Sequence, residues 1–329
     1  MRSTTDSVFC SLLPRLRCVG ILAFLALLAS LSACALSVPQ QSALVGTLWD
    51  VKAKQAIPLE ALIERARGAD IVLLGETHDN PDHHRLQEWL FTALNTDGAM
   101  SALIMEQYDL EQQADIDAVR RTSADPATKL ARLGDIMRSG WQWNLYRPLV
   151  ASALSRQTPL LAANMSRETL QQVSRKGFDA LGAGEADRLA LTSGWSPAQQ
   201  KQLEKNIFDG HCGMLPAVAA TAISNAQRAR DAVMADRLLA AGPGPVLAVF
   251  GREHVRRDLA VPLYLTQRAP ATTVLAIGLI ETDVAFVPDD FASGPMGQRY
   301  DYLVMTAPVT RTVDPCEGLV MPGAKITQP

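Results

Sequence analysis

Aromatic side chains are scarce, with eight Phe, five Tyr and five Trp in 329 residues, which leaves little material for the stacking platforms that bind single-stranded nucleic acid. Cationic charge is not in excess either. The 31 Lys and Arg against 34 Asp and Glu give a net charge of −3 and a pI near 6.0, so there is no basic footprint and nucleic acid is not an expected partner. Several chemistry-bearing motifs are absent. There is no Gly-x-Ser-x-Gly elbow, no phosphate-cradling glycine loop, no His-Glu-x-x-His and no Cys-x-x-Cys-His, which removes the chemistries those spacings serve. Low-complexity tracts are also missing.

What is present is an ordinary globular composition, 48% hydrophobic and 20% charged, long enough for one large domain or two small ones. The N-terminus differs in kind. Arg15 and Arg17 precede an apolar run from Val19 to Leu31 that is short for a membrane span and ends in small residues, the pattern of an export signal. Leu31-Ser32-Ala33-Cys34 resembles the bacterial lipoprotein lipobox. Residues 1–33 are then a lipoprotein signal peptide, Cys34 the lipidated first residue of the mature chain, and 34–47 a tether. Acyl chains on Cys34 anchor the protein to a membrane, and the lack of an aspartate after Cys34 directs it to the outer membrane. Cys10 and Cys18 leave with the signal, so Cys212 and Cys316 remain. They can pair in an oxidising compartment, but their separation in space is not readable and the pairing stays open.

The chain is organised around residues 70–84, where the apolar run Ile71 to Leu74 stops at Gly75 and polar side chains follow. This reads as a strand buried on both faces, a turn, and a helix capped by Asn80 with Pro81 at its first position. Glu76 and His78 then stand at a strand's carboxyl end and His83 and His84 in the first helical turn. Residues 245–254 repeat the pattern, running apolar into Gly251 and ending on His254 with the same Gly-x-x-His spacing. A strand over 101–108 ends near Glu106 and Tyr108, and a third strand-like run covers Pro159 to Met165. Helices are expected over 56–67, 80–95, 110–121 and 127–138. From 167 to 241 only helical segments are expected, read as a helical insertion or lid over the crevice. Strands return at Val246 to Phe250, Thr273 to Ile280 and Tyr300 to Met305, with a short helix from Val255 to Leu259. The alternation predicts an α/β domain over 48–329 with a mainly parallel sheet and helices on both faces.

Glu76, His78, His84, Glu106 and His254 all fall at strand ends or first helical turns on one expected sheet edge. Imidazole and carboxylate together suit a divalent metal, which could activate water for hydrolysis; a buried polar network fixing the loops is the other reading. His211 and Cys212 lie in a glycine-bounded loop between two helices. Tyr108 and Tyr146 sit near a strand end and a broken segment, and a tyrosine phenolate can ligate ferric haem.

At these residues the chain resembles the ChaN family of haem-binding lipoproteins, within the Tiki/TraB and erythromycin-esterase-like superfamily. The resemblance rests on residues 73–84, Met105-Glu106, Trp143 with Tyr146-Arg147-Pro148, Ala163-Asn164, residues 211–216, residues 227–231 and Gly251 to His254. It implies an iron-uptake lipoprotein that dimerises around a pair of haems and works with a haem or iron transport system. Each iron would be held by a tyrosine, Tyr146 or else Tyr108. The propionates would be held by His211 and a lysine of the other subunit, with Lys201 or Lys205 in that role. The superfamily also implies an alternative, a metal-dependent hydrolase or protease using Glu76, His78, His84, Glu106 and His254.

Overall fold

The order of elements follows from where glycine, proline and the apolar runs fall. The computed structural model describes residues 42–96, 98–242, 244–312 and 316–317. The signal segment, Cys34 and most of the tether lie outside the described residues. In chain order the elements begin with β1 (Thr47–Asp50), β2 (Gln55–Pro58), α1 (Ala61–Arg67), β3 (Ile71–Glu76), α2 (Pro81–Leu94), β4 (Ala102–Asp109), α3 (Gln113–Arg121) and α4 (Pro126–Ile136). The middle is α5 (Trp143–Ser155), β5 (Leu160–Asn164), α6 (Arg167–Lys176), α7 (Glu185–Arg188), α8 (Pro197–Gly210) and α9 (Ala217–Leu239). The rest is β6 (Val246–Gly251), α10 (Val261–Arg268), β7 (Val274–Glu281), α11 (Pro288–Ala292), β8 (Ser293–Gly294), β9 (Gly297–Gln298) and β10 (Tyr302–Thr306).

Eight strands form one sheet in the order β2-β1-β10-β7-β3-β6-β4-β5. From β10 to β5 every neighbour is parallel, and β1 and β2 add an antiparallel edge. The chain is therefore α/β with a mainly parallel sheet, as expected. Period-two alternation divides each central strand between two cores. Ile71 and Leu73 face a layer with Ala229, Ala232 and Met234 of α9 and Val261 and Leu265 of α10. Val72 and Leu74 face the other layer, with Leu90 and Phe91 of α2 and Leu149 and Val150 of α5. Burial on both faces is why β3 and β6 are apolar almost throughout.

Three expectations are corrected. The helix expected over 56–67 begins only at Ala61, because Ile57 precedes Pro58 and is pushed out of the helical region; the segment instead pairs with β1, Leu48 opposite Ile57. The helix expected at Val255 to Leu259 is a 3-10 turn over Arg252–Val255, and α10 starts at Val261 with Pro262 in its first turn. The helical block 167–241 is only partly a lid, since α9 packs on β5 and β4 as the crossover into β6. Its buried Ala229, Ala232 and Ala235 let it lie close to the sheet. The part that stands away is α8 and the turn to α9.

Candidate functional site

β3 and β6 run side by side with Glu76 opposite Gly251, so their two Gly-x-x-His turns leave the same sheet edge together. Each glycine is demanded by a close approach. A Cβ on Gly75 would stand 2.8 Å from Arg252 Cα, and one on Gly251 would stand 2.9 Å from His78 Cε1. The second turn thus closes over the first strand, and the His78 ring rests on the second strand's last residue. The cap on α2 is as expected, with Asn80 accepting from the Asp82 amide at 2.9 Å and Pro81 following.

Glu76 is the centre of the first half-site. Its Oε1 accepts from His78 Nδ1 at 2.9 Å, Tyr146 Oη at 2.5 Å and Gln107 Nε2 at 3.2 Å, and its Oε2 accepts from Gln87 Nε2. Burial pushes this carboxyl up, but the His78 hydrogen bond, the charges of His84 and His78 and the Tyr146 hydroxyl outweigh it and hold the group below the usual range. For His78, burial works downward and the Glu76 hydrogen bond with the charges of Glu106 and Glu76 works upward, leaving the imidazole more basic than usual. The two stay hydrogen-bonded at the strand end, with Trp141 edge-on to His78 at 4.5 Å.

The second half-site mirrors the first. Asp231 of α9 holds His254 Nδ1, and His254 Nε2 stands 3.8 Å from Glu106 Oε2. His78 Nε2 stands 4.0 Å from Glu106 Oε1, so Glu106 lies between two imidazoles, each fixed through Nδ1 by an acid. The Gly251 amide donates to Glu106 Oε2 at 2.8 Å. Burial lowers His254 to about 4 and raises Asp231 well above the usual carboxyl range, the opposite of the shifts at His78 and Glu76.

The expected ligands Glu76, His78, His84, Glu106 and His254 are therefore brought together. Yet among the described residues no group of three or more His, Cys, Asp or Glu is arranged to hold a metal ion. The reason is local. The imidazoles stand on different oxygens of Glu106, His78 Nε2 4.0 Å from Oε1 and His254 Nε2 3.8 Å from Oε2, and His84 is turned away, its Nε2 donating to the His78 carbonyl at 3.0 Å. His83 is a core residue: its Nδ1 accepts from the Thr77 amide and its Nε2 donates to Thr306 Oγ1, both at 2.9 Å. Burial lowers it to about 4.

Both tyrosines expected as iron ligands are fully buried. Tyr146 is committed to Glu76, and Tyr108 donates to the Leu133 carbonyl at 3.1 Å. His211 is elsewhere, at the end of α8, beside exposed Phe208 and Met214. Lys205 of the same helix pairs with Asp209 at 2.5 Å, and Lys201 lies one turn earlier. Cys212 and Cys316 are joined in a disulfide, Cα atoms 5.8 Å apart, which settles the pairing left open by the sequence.

Sequence reasoning missed Gln87, Gln107, Asp231 and Trp141. Gln87 had a legible signal, since it lies three residues after His84 on a helix whose first turn was already placed at the site. Gln107 lies inside a strand, and Asp231 in a helix taken for a lid, so only the tertiary fold shows their convergence.

The profile of the family described as "Haem-binding uptake, Tiki superfamily, ChaN" matches residues 62–265. Among solved structures, "Cofacial heme binding to ChaN of Campylobacter jejuni" superposes with a TM-score of 0.64 at 20% identity, covering 80% of this chain and 98% of that one. The type III effector HopBA1 superposes with a TM-score of 0.41 at 11% identity, covering 75% and 91%. An erythromycin esterase EreC mutant in its open conformation gives 0.42 at 14% identity, covering 71% and 76%. No curated protein matches the chain.

Proposed function

The chain belongs to the haem-binding uptake family of ChaN in the Tiki superfamily, and from that premise we propose that it is a membrane-anchored lipoprotein of iron uptake that takes haem between two copies of itself. The observation that carries this beyond the family is the turn from α8 to α9. Phe208, Met214 and Val218 are 39%, 43% and 79% exposed there, three of the five large apolar side chains left exposed among the described residues. Exposed apolar surface gathered in one place marks a binding face. Lys201 and Lys205, at helical spacing on α8, supply cations for propionates, and the residues present thus fit a flat, apolar dianion as cargo. Cys34 supplies the lipid anchor, sorted to the outer membrane, and a haem or iron transport system receives the cargo.

Titration of the purified protein with ferric haem, read by absorption and by oligomeric state, tests the proposal. Saturation at one haem per chain with conversion of monomer to dimer is expected; absence of saturable binding sinks it. A Cys34→Ser change is expected to move the protein from the membrane to the soluble fraction.

A second reading is supported by Glu106 between two acid-held imidazoles, an arrangement suited to general acid–base hydrolysis. Screening of ester and peptide substrates with Glu106→Gln tests it: activity that survives the change rules this site out.

A further inference from the structure

Away from the strand ends that carry the histidines, α3, α4 and α5 leave a cavity of about 760 Å³ between them, within the size range of small-molecule sites. Its side chains are of two kinds. Leu130 of α4 with Ala151 and Leu154 of α5 form an apolar floor. Arg120, Arg121, Lys129 and Arg147 supply four cations, and among the described residues no Asp or Glu lines the space. In a chain of net charge −3 that grouping is one-sided.

Helical spacing brings these residues together. Arg147, Ala151 and Leu154 recur at i, i+4 and i+7 on α5, and Ala127 and Leu130 at i and i+3 on α4, so each stripe lines one wall. Arg120 and Arg121 end α3, and Gln157 follows the end of α5.

Two of the cations hold the walls together. Arg120 Nη2 donates to the Gln157 carbonyl at 3.1 Å, and Lys129 Nζ donates to the Arg120 carbonyl at 3.0 Å. A carbonyl orients a cation without neutralising its charge. Arg121 and Arg147 are exposed and, among the described residues, make no hydrogen bond or ion pair. Nearby acids are engaged locally. Asp117 accepts from Gln113 Nε2 at 3.0 Å, and Asp125 accepts from the Thr128 amide at 3.1 Å and its hydroxyl at 2.7 Å.

Unneutralised cations over an apolar floor suit a ligand that is anionic at one end and apolar at the other. We propose that this cavity is a binding site for an amphipathic phosphate monoester, the phosphate held by Arg121 and Arg147 and the apolar body laid against Leu130, Ala151 and Leu154. Such a phosphate carries about −1.5 to −2 charges at pH 7, which two free guanidiniums balance, and each guanidinium can present paired N–H donors to its oxygens. The site is separate from the haem surface and does not depend on the haem reading.

Calorimetric titration of the full chain with a lysophosphatidate below its micelle concentration tests this, with inorganic phosphate as the second arm. Saturation at one lysophosphatidate per chain is expected, with inorganic phosphate about tenfold or more weaker. The double change Arg121→Gln and Arg147→Gln is expected to weaken the lipid about tenfold or more. Its denaturant unfolding is expected to match wild type, since neither side chain has a partner in the fold. Equal binding of phosphate and lysophosphatidate overturns the amphiphile. Absence of saturation, or undiminished binding by the double variant, overturns the site. One-for-one displacement of the lipid by ferric haem overturns its separation from the haem surface.

Discussion

The Tyr146 hydroxyl donates a 2.5 Å hydrogen bond to Glu76 Oε1, so the side chain expected to face an iron instead fastens helix α5 to the end of strand β3. Its ring lies edge-on to His84 at 4.5 Å and to Trp141 at 5.7 Å, which leaves it no path to the surface. Tyr146→Phe removes one of four donors to a buried carboxylate. A loss of about 1–3 kcal/mol is expected in denaturant unfolding, with the haem spectrum unchanged.

The two site glycines are expected to differ in their tolerance of alanine. At Gly75 the new methyl meets backbone, Arg252 Cα at 2.8 Å, whereas at Gly251 it meets the half-exposed His78 ring. Overpacking of about 1–3 kcal/mol is expected for Gly75→Ala, and less for Gly251→Ala, where the ring can swing out. Chemical denaturation of both variants measures the order, and the reverse order would show that the turn gives way before the ring.

His83 makes stability fall in acid. The folded chain protonates it only near pH 4 and the unfolded chain near 6.5, so its contribution is intact above 6.5 and is lost as pH falls through that window. The loss is about 3 kcal/mol once complete. Unfolding free energies between pH 7 and 4, with His83→Gln as the comparison, check this. A slope unchanged by the substitution assigns the acid sensitivity to another group.

Reduction of Cys212–Cys316 opens a link spanning 104 residues. A loss of about 2–5 kcal/mol is expected from the freed chain entropy. Unfolding with and without reductant, and in Cys212→Ser, measures it; a shift under about 1 kcal/mol would indicate a reduced chain that stays compact.

The strand-turn-helix of residues 71–94 was legible because each step is local: an apolar run, a glycine, an asparagine cap and a proline each act on their own backbone. The same is true of β6 and its turn. The β1–β2 hairpin was not legible, since Ile57, Leu59, Leu62 and Ile63 satisfy helical spacing and only Pro58 argues against it. The convergence of Glu76, His78, Glu106 and His254 was readable from strand ends. The direction in which Tyr146 and Tyr108 point was not. A tyrosine near a strand end can face cleft or core, and here the carboxylate of Glu76 and the carbonyl of Leu133 decide it. The opposite shifts of His78, more basic beside Glu76, and His254, less basic beside Asp231, depend on relative burial and on charges brought in from other elements, which sequence spacing does not show.

The bond between Cys212 and Cys316 closes a covalent ring that contains α9, β6, β7 and β10. A protease that cuts once inside this ring, for example near exposed Val284 and Val287, leaves a single molecule. Both Gly-x-x-His turns and the His211 loop stay attached to it. Only a reductant then separates the fragments, so cleavage in an oxidising compartment is silent until the redox environment changes.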